Sequence, residues 1–417
     1  MNSSSRIFYG WFVVLACFLV LFSLHGVIIN TFGVFFKPVS ESMGWSRATF
    51  SLALAIGAIA MAFGAPFVGK MLDSFGAAKT MLVGALLCGI GMGLLGSATN
   101  LLQFYVLFAV VGLGLSASTS IPVSLLIANW FERRRGIAMG MAFTGTSLGG
   151  MIMNPVNTYL VQRFGWRHSY VILAVAITVA TVPLILLIVK TRPSEMHLLP
   201  DGEKPTTSGL KRLTGQNLQD AIRTSTFWFI AANMFLINFM ANAVGVHGIP
   251  YLTDIGHSEM TAGITVGASM GFMTLGKLGF GFGADRWGAR PSFVLSCLLT
   301  AVGIGILMAG SNLWMLALFV FIYGFPQGGP LALTPLIAAE CHGLLNFGSI
   351  YGVMTLFSIL GAAIGPVVVG KIYDVTHTYQ GAFLLLIAIT LVSAYCIHRA
   401  RFRHDFAHPE PVSVTLV

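Results

Sequence analysis

Long apolar stretches recur along this chain and constrain its fold more than any other feature of the sequence. Each has about 18 or more residues, enough to cross a hydrocarbon layer of about 30 Å as a helix, and none alternates like a transmembrane β-strand. Only 9% of the residues are charged and 56% are hydrophobic, which excludes a water-soluble domain. The sequence therefore predicts an all-α membrane protein. Its twelve predicted transmembrane helices cover residues 9–36, 46–70, 79–98, 101–129, 136–161, 168–190, 224–250, 261–284, 291–310, 313–338, 347–370 and 380–398.

The basic residues predict the orientation of these spans. Loops on the side of the termini carry seventeen Lys and Arg residues, and loops on the opposite side carry five. Because basic residues in short loops stay cytoplasmic, we expect both termini in the cytoplasm and the spans in the plasma membrane, which in a bacterium is the inner membrane. The net charge of +9 follows from this topology. The lipid bilayer is therefore an expected partner, and nucleic acid is not.

The sequence contains an internal repeat. Parallel repeats of six spans build secondary transporters, whose substrate path lies between the two halves. We therefore predict an N-terminal six-helix bundle (1–190), a polar cytoplasmic linker (191–223) with a short helix near 216–223, and a C-terminal six-helix bundle with a short tail (224–417). A shift of 212 residues aligns Gly69, Asp73 and Gly76 with Gly281, Asp285 and Gly288, Gly112 with Gly324, and Gly136, Gly140 and Gly149 with Gly348, Gly352 and Gly361.

Loop motifs extend this interpretation to a known family. The pattern Gly-x-x-x-Asp-x-x-Gly follows span 2 at 69–76 and span 8 at 281–288. It resembles the loop motif of the major facilitator superfamily, and the twelve spans, the repeat and the linker agree with that fold. Within the superfamily, five segments are similar to the monocarboxylate porter and oxalate:formate antiporter branch: YGW (9–11), FGVFFK (32–37), WFERRRG (130–136), GWR (165–167) and VHGIPY (246–251).

Lys277 is the only formal charge between Thr261 and Ala284, eight residues before Asp285 at the predicted membrane edge. At 1.5 Å per residue it lies about 12 Å deep in the membrane. A lysine at that depth needs a partner, and all fourteen acidic residues fall in loops or at span ends. We expect an anion from outside the protein to be this partner. The alternative is a lysine kept neutral by burial.

The family resemblance assigns Lys277 to the substrate. In the resembling branch a basic residue at this place in span 8, usually arginine, holds the substrate carboxylate. The second basic residue of the oxalate:formate antiporter, in span 11, corresponds to a place near Ser358, so one intramembrane cation here suits one carboxylate. Mammalian monocarboxylate transporters place an acid and a lysine where this chain has Met273 and Asn30. Their proton relay therefore cannot be carried over intact.

The proton must then be carried by other groups. The candidates are His247 and Asp254 near the outer end of span 7, His25 in span 1, and Lys277 itself. Histidine titrates near physiological pH, so we expect His247 to accept a proton from outside while a carboxylate pairs with Lys277. The alternatives are that His247 caps the backbone near Pro250 and that Asp254 is a surface charge.

Further polar residues are assigned to substrate binding or to gating. Hydrogen bonds to the substrate are expected from Asn30, Thr119, Tyr251, Tyr323, Gln327 and Ser358, with packing between helices as the alternative for the aromatic ones. Carboxylates at the cytoplasmic span ends are expected to pair with basic side chains and so to lock one state of the protein. This gating set comprises Asp73, Lys79, Arg135, Asp285, Arg286 and Arg290.

Together these expectations describe a secondary active transporter and not an enzyme. The most specific version is a monomeric symporter that carries a small monocarboxylate, such as lactate, pyruvate or acetate, with a proton by alternating access, without a cofactor or metal. An organic anion exchanger of the oxalate/formate type, a non-carboxylate exporter and a transporter-like sensor are the alternatives. A proton-driven exporter of cationic drugs is expected to have an acid inside its spans, which this sequence lacks.

Overall fold

The structure, a computed structural model, describes residues 8–45, 47–202, 215–310 and 312–401, and this part of the chain is almost entirely helical. Residues 1–7, 203–214 and 402–417, which belong to the predicted N-terminal bundle, linker and tail, lie outside the described residues. The helices are α1 (Gly10–Leu24), α2 (Phe32–Met43), α3 (Arg47–Phe75), α4 (Ala77–Leu95), α5 (Leu101–Ser118), α6 (Ser120–Trp130), α7 (Arg135–Ile188), α8 (Leu218–Ile222), α9 (Ser225–Asp254), α10 (Glu259–Trp287), α11 (Ala289–Met308), α12 (Leu313–His342), α13 (Phe347–Thr376) and α14 (Gln380–Arg399).

Twelve membrane crossings result from these helices. The first combines α1, a π-helical turn (His25–Ile29) and α2, and the fourth combines α5 and α6, which meet at Thr119. α7 contains two crossings, because Gly165 (φ 74°, ψ 162°) interrupts its helical geometry. Ten segments of the described chain are long and apolar enough to span a membrane. Dividing α7 at Gly165 and adding the 29-residue α10 gives twelve.

Local signals of the repeat determine where corresponding helices begin and end. Asn100 and Asn312, which the 212-residue shift aligns, cap α5 and α12. Each side chain accepts a hydrogen bond of 3.0 Å from the backbone N–H three residues later. Gly76 and Gly288 follow α3 and α10 with φ values of 82° and 94°, a region that favours glycine. The motif glycines are therefore required by the turn that ends each helix.

The helices form two groups of six crossings that meet along two seams. In the first group α7 packs against α1 and α4, and α5 packs against α3 and α4. In the second group α13 and α14 pack against α9, and α12 packs against α10 and α11. The seams are the contacts of α3 with α13 and of α7 with α10. Each seam joins a helix of one group to a helix of the other.

The two seams are related by the repeat. Gly69 on α3 faces the backbone of Gly348 on α13, and Gly281 on α10 faces the backbone of Gly136 on α7. A Cβ at Gly69 or Gly281 would collide with the carbonyl group opposite, so only glycine permits this approach. The 212-residue shift exchanges one pair for the other. The repeat in the sequence is therefore also a repeat of contacts between helices.

The two faces of the bundle differ in how closely the groups approach. We call the end at which α1 begins at Gly10 and α14 ends at Arg399 the terminal face, and the opposite end the distal face. The seam glycines lie towards the terminal face. On the distal half of α10, a Cβ at Gly263, Gly267 or Gly271 would have no neighbour within 4 Å. The two groups are therefore closed at the terminal face and open at the distal face.

The described ends of the linker are each fixed to their own group. Asp201 Oδ2 accepts hydrogen bonds from the backbone N–H groups of Glu132 and Arg133 at 2.8 and 2.6 Å. At the other end, Nδ1 of His342 donates to the side-chain oxygen of Gln216 at 2.7 Å. The short helix predicted near 216–223 is α8. The connection thus follows the terminal face on both sides.

Candidate functional site

Lys277 lies on α10 at the seam with α7, and its side chain is fully buried. Its Nζ donates hydrogen bonds to the carbonyl oxygen of Phe143 (3.1 Å), to Oγ1 of Thr146 (2.8 Å) and to Oγ of Ser147 (2.5 Å). All three acceptors are neutral and lie close together on α7, in the other six-helix group. The ammonium therefore joins the two groups without neutralising its charge.

Glycines hold the backbone of Lys277 in place. A Cβ at Gly140 on α7 would collide with the carbonyl of Lys277, and a Cβ at Gly328 on α12 would collide with its backbone nitrogen. Small residues let helix backbones come this close inside a membrane. α10 is thus held between α7 and α12 at the level of Lys277, so backbone packing determines the position of the ammonium.

A π-helical turn brings His25 and Asn30 to the same part of α7. The backbone N–H of Asn30 donates to the His25 carbonyl at 3.0 Å, and its side-chain Nδ2 donates to the Thr146 carbonyl at 2.7 Å. Asn30 is exposed. Nε2 of His25 is buried with no hydrogen-bond partner among the described residues, and the ring is near enough to Lys277 for a positive charge on it to be repelled. Single π-helical turns are frequent at functional sites.

The structure thus gathers three of the predicted site residues, Lys277, Asn30 and His25, around one part of α7. The hydroxyl residues Thr146 and Ser147 complete this cluster and are not among the predicted residues. Their signal in the sequence is weak, because Ser and Thr inside a helix usually bond to their own backbone. Only the packing of α7 against α10 shows that they meet a charge.

His247, predicted to accept the proton, lies towards the distal end of α9. Its Nε2 donates to the carbonyl of Pro366 on α13 at 2.9 Å, and its Nδ1 is 3.2 Å from the hydroxyl of Tyr379. Because a carbonyl only accepts hydrogen bonds, Nε2 carries a proton here. These bonds join α9 to α13 and to the turn before α14. The role of His247 in proton coupling stays a prediction.

Tyr251 and Asp254 lie beside His247 on α9, each with a partner in the second group. The Tyr251 hydroxyl donates to the carbonyl of Met308 at 3.0 Å. The hydroxyl of Tyr373 donates to Oδ2 of Asp254 at 3.0 Å, on the exposed distal face. Both contacts connect helix ends within one six-helix group. Substrate binding by Tyr251 and proton coupling by Asp254 stay predictions.

The remaining predicted binding residues are spread over three spans. Gln327 Nε2 donates to the hydroxyl of Tyr323 at 2.9 Å, and both side chains are buried in α12. Thr119, at the break between α5 and α6, donates to the carbonyl of Leu115 at 2.5 Å. Ser358 is partly buried on α13. Contact of these residues with a substrate stays a prediction.

Asp73 and Asp285 cap helices of the opposite group. Asp73 accepts hydrogen bonds of 3.1 and 2.9 Å from two backbone N–H groups in the first turn of α13. Asp285 accepts hydrogen bonds of 2.6 and 2.8 Å from two in the first turn of α7. The expected basic side chains are replaced at these contacts by helix N-termini. Free N–H groups and the helix dipole favour a carboxylate there.

Arg135 lies beside the Asp285 cap. Its guanidinium donates to two carbonyls near the end of α6 at 2.8 and 2.9 Å, and it interacts electrostatically with Asp285 and Glu340. Glu340, near the end of α12, is not among the predicted gating residues. The gating roles of the basic residues stay predictions. The other three lie near the same face: Lys79 and Arg286, which are exposed, and Arg290, which is partly buried.

Comparison with known proteins places the chain in a family. The family model of the Major Facilitator Superfamily matches residues 12–283 and 234–415, which together cover nearly the whole chain. The chain belongs to the Major Facilitator Superfamily. As a member of this superfamily with multiple membrane-spanning helices, it is a multi-pass membrane transporter and not an enzyme.

Relatives of this superfamily member agree with the predicted branch. Monocarboxylate transporter 13 of Bos taurus is 26% identical in an alignment 403 residues long that covers 93% of this chain and 90% of the relative. The uncharacterized MFS-type transporter YcxA of Bacillus subtilis (strain 168) is 24% identical over 402 residues, 94% of each chain. The crystal structure of FucP in the outward conformation has a TM-score of 0.72 at 15% identity and covers 93% of this chain and 98% of FucP. This structural likeness confirms the predicted fold.

Proposed function

We propose that this superfamily member transports a small monocarboxylate, such as lactate, pyruvate or acetate, and that a proton crosses the membrane with it. The observation that carries the proposal is the fully buried ammonium of Lys277, which lies at the seam between the groups with only neutral hydrogen-bond partners. The name of the bovine relative, Monocarboxylate transporter 13, supports the same substrate class.

The charge of Lys277 requires an anion. Moving an ammonium from water into a membrane interior costs several kcal/mol, and neutral hydrogen-bond acceptors offset only part of this cost. A carboxylate neutralises the charge, and the low dielectric strengthens their attraction. The predicted span interiors contain no Asp or Glu. A small anion that enters from the open distal face supplies the missing charge.

A single cation favours a single carboxylate. The place where the oxalate:formate antiporter has its second basic residue corresponds to a position near Ser358, which offers a hydroxyl and no charge. A dicarboxylate would leave one of its charges unpaired in the low-dielectric interior. We therefore place monocarboxylates before oxalate as substrates.

His25 is the residue we propose for the proton. Its buried Nε2 has no hydrogen-bond partner among the described residues, and a positive charge on its ring would be repelled by Lys277. Two neighbouring cations repel in a low dielectric, so a proton on His25 is favoured once a carboxylate has neutralised Lys277. Proton and substrate then bind together, as symport requires. His247 is the less favoured candidate, because both its ring nitrogens already contact protein groups.

The expected topology gives the open face a direction. With both termini in the cytoplasm, as the basic loops predict, the distal face is outside and the described conformation is open to the outside. Alternating access then requires the seams to open at the terminal face, including the caps made by Asp73 and Asp285. The cluster around Lys277 lies between the two groups of one chain, which supports a functional monomer in the plasma membrane, the inner membrane of a bacterium.

Uptake of radiolabelled lactate into proteoliposomes under an inward proton gradient tests the proposal. Wild type is compared with Lys277→Gln and with Lys371→Gln at matched reconstitution. Lys371 is exposed near the distal end of α13, so its replacement serves as the control. We expect gradient-stimulated uptake by wild type and by Lys371→Gln. In Lys277→Gln uptake falls by at least about thirtyfold, the cost of removing one partner from a buried charge pair.

Each other result has a separate meaning. Wild type that accumulates none of lactate, pyruvate or acetate would overturn the substrate class. Normal uptake by Lys277→Gln would overturn the role of the ammonium. Uptake that does not depend on the proton gradient but rises when the vesicles are preloaded with lactate would identify an anion exchanger.

A further inference from the structure

We propose that Thr146, Ser147 and the carbonyl of Phe143 act as an internal substitute for the substrate carboxylate. They hold the Lys277 ammonium in the empty transporter, and substrate binding displaces them. The inference rests on the proposed function, because it takes Lys277 as the partner of the substrate. The inference adds a positioning role for the hydroxyls of Thr146 and Ser147 on α7. It also predicts that loss of either hydroxyl raises the affinity for the substrate.

The hydrogen bonds of Lys277 are all used in the described conformation. An ammonium has three N–H groups, and Nζ has three acceptors, at 3.1, 2.8 and 2.5 Å. A carboxylate only accepts hydrogen bonds, so it reaches the ammonium by replacing at least one of these oxygens. The substrate therefore competes with α7 for Lys277.

Two of the displaced oxygens keep a partner after Lys277 leaves. Oγ1 of Thr146 also donates to the Phe143 carbonyl, at 2.9 Å. The same carbonyl lies inside α7, where the helical hydrogen-bond ladder continues. Release of Lys277 thus leaves neither group buried without a hydrogen bond, which would be costly. These two groups therefore do not oppose the exchange of hydroxyl for carboxylate.

The same hydrogen bonds tie the two six-helix groups together. Lys277 is on α10, and its acceptors are on α7, whose first turn is capped by Asp285 closer to the terminal face. The tie favours the state in which this seam is closed and the distal face is open. When the carboxylate takes Lys277, a contact that opposes the change of state is lost. A ligand shifts a conformational equilibrium only through such a difference between the two states.

Uptake kinetics separate this proposal from direct binding of the substrate by the hydroxyls. Ser147→Ala and Thr146→Val each remove one competing acceptor. We expect the KM for lactate to fall by about tenfold or more, because one hydrogen bond to a charged group is lost from the empty state only. The ratio of the KM values for lactate and pyruvate stays the same.

Thr158→Val is the matched control for these variants. Thr158 is an exposed residue farther along α7 and donates to the carbonyl of Asn154 at 2.8 Å, so its loss leaves the Lys277 cluster intact. A raised KM in Ser147→Ala and Thr146→Val would mean that the hydroxyls bind the substrate. An unchanged KM would mean that they do not compete with it. Either result overturns the proposal.

Thiol labelling tests the tie without substrate. A cysteine at Gly267, where α10 faces open space, is expected to react with a membrane-impermeant maleimide in the distally open state, and the five native cysteines are buried. We expect Gly267→Cys to be labelled less when Ser147→Ala is added. Unchanged labelling would mean that the hydrogen bonds of Lys277 to α7 do not favour the distally open state. If labelling falls while wild type transports no monocarboxylate, the result supports the role of these hydrogen bonds in stabilising the distally open state and overturns the proposed substrate class.

Discussion

We propose that Asn30 offers the substrate a second contact, in addition to Lys277. Its Nδ2 donates to the Thr146 carbonyl at 2.7 Å, which fixes the amide so that Oδ1 remains an acceptor. An acceptor suits the hydroxyl of lactate and not the keto oxygen of pyruvate. We predict that Asn30→Leu raises the KM for lactate by about tenfold and that for pyruvate by less than about twofold. Equal changes for the two substrates, measured by uptake, would contradict this assignment.

His25→Gln is predicted to uncouple proton transport from substrate transport. Glutamine keeps hydrogen-bonding groups but does not titrate. We expect stimulation by an inward proton gradient to disappear, whereas exchange of external labelled lactate for internal lactate continues. Wild-type uptake falls as the external pH rises, because fewer protons reach His25. His168→Gln, an exposed histidine on α7, is the control. Gradient stimulation that survives in His25→Gln would assign the proton to another group.

For single residues, the sequence predicts the charge but not its neighbours. The amino-acid sequence alone shows that Lys277 is isolated in an apolar span. Its partners Thr146 and Ser147 are 131 and 130 residues away along the chain. They meet Lys277 only because glycines let α7 approach α10. The burial of His25 Nε2 accompanies a π-helical turn that no motif in the sequence predicts.

Among the helices, the caps made by Asp73 and Asp285 give a direct test of what closes the terminal face. A carboxylate at a helix N-terminus contributes about 0.3–2 kcal/mol, and asparagine keeps the hydrogen-bond acceptor without the charge. We predict that Asp73→Asn and Asp285→Asn each shift the population away from the distally open state by roughly two- to thirtyfold.

Pulsed electron paramagnetic resonance measures this shift. Spin labels at Gly33 and Gly263, which belong to different groups and have no neighbour within 4 Å of an added Cβ, should show a larger share of short distances. Asp374→Asn, at the exposed distal end of α13, should leave the distances unchanged. Cap variants with the same distance distribution as wild type would argue against a role of the caps in closure.

Helix ends follow from local chemistry, whereas helix breaks and partners do not. The motif glycines Gly76 and Gly288 and the short helix α8 are predictable from turn and linker composition. The break at Thr119 is not predicted, although it divides one span into α5 and α6. The helix N-termini that receive Asp73 and Asp285 are also missed, because every residue has a backbone N–H and no sequence pattern marks a free one.

On the scale of the whole molecule, the architecture is predictable and the conformational state is not. Twelve apolar stretches and one shift of 212 residues indicate six spans plus six, and the family match confirms the fold. Which face is open depends on a few contacts at the seams, such as those of Gly69 and Gly281. The same helices can form the state that is open at either face, so hydropathy and motifs do not predict which face is open.

The exchange of the two seams by the repeat has a consequence for how the chain can change. A rigid rotation that opens one seam must open the other, so their free energies add and their equilibrium factors multiply. A loss of about tenfold at each seam amounts to about a hundredfold for the molecule. A substitution in either copy of the Gly-x-x-x-Asp-x-x-Gly segment therefore alters the motion of both halves. Both copies of this segment are therefore constrained by the same motion.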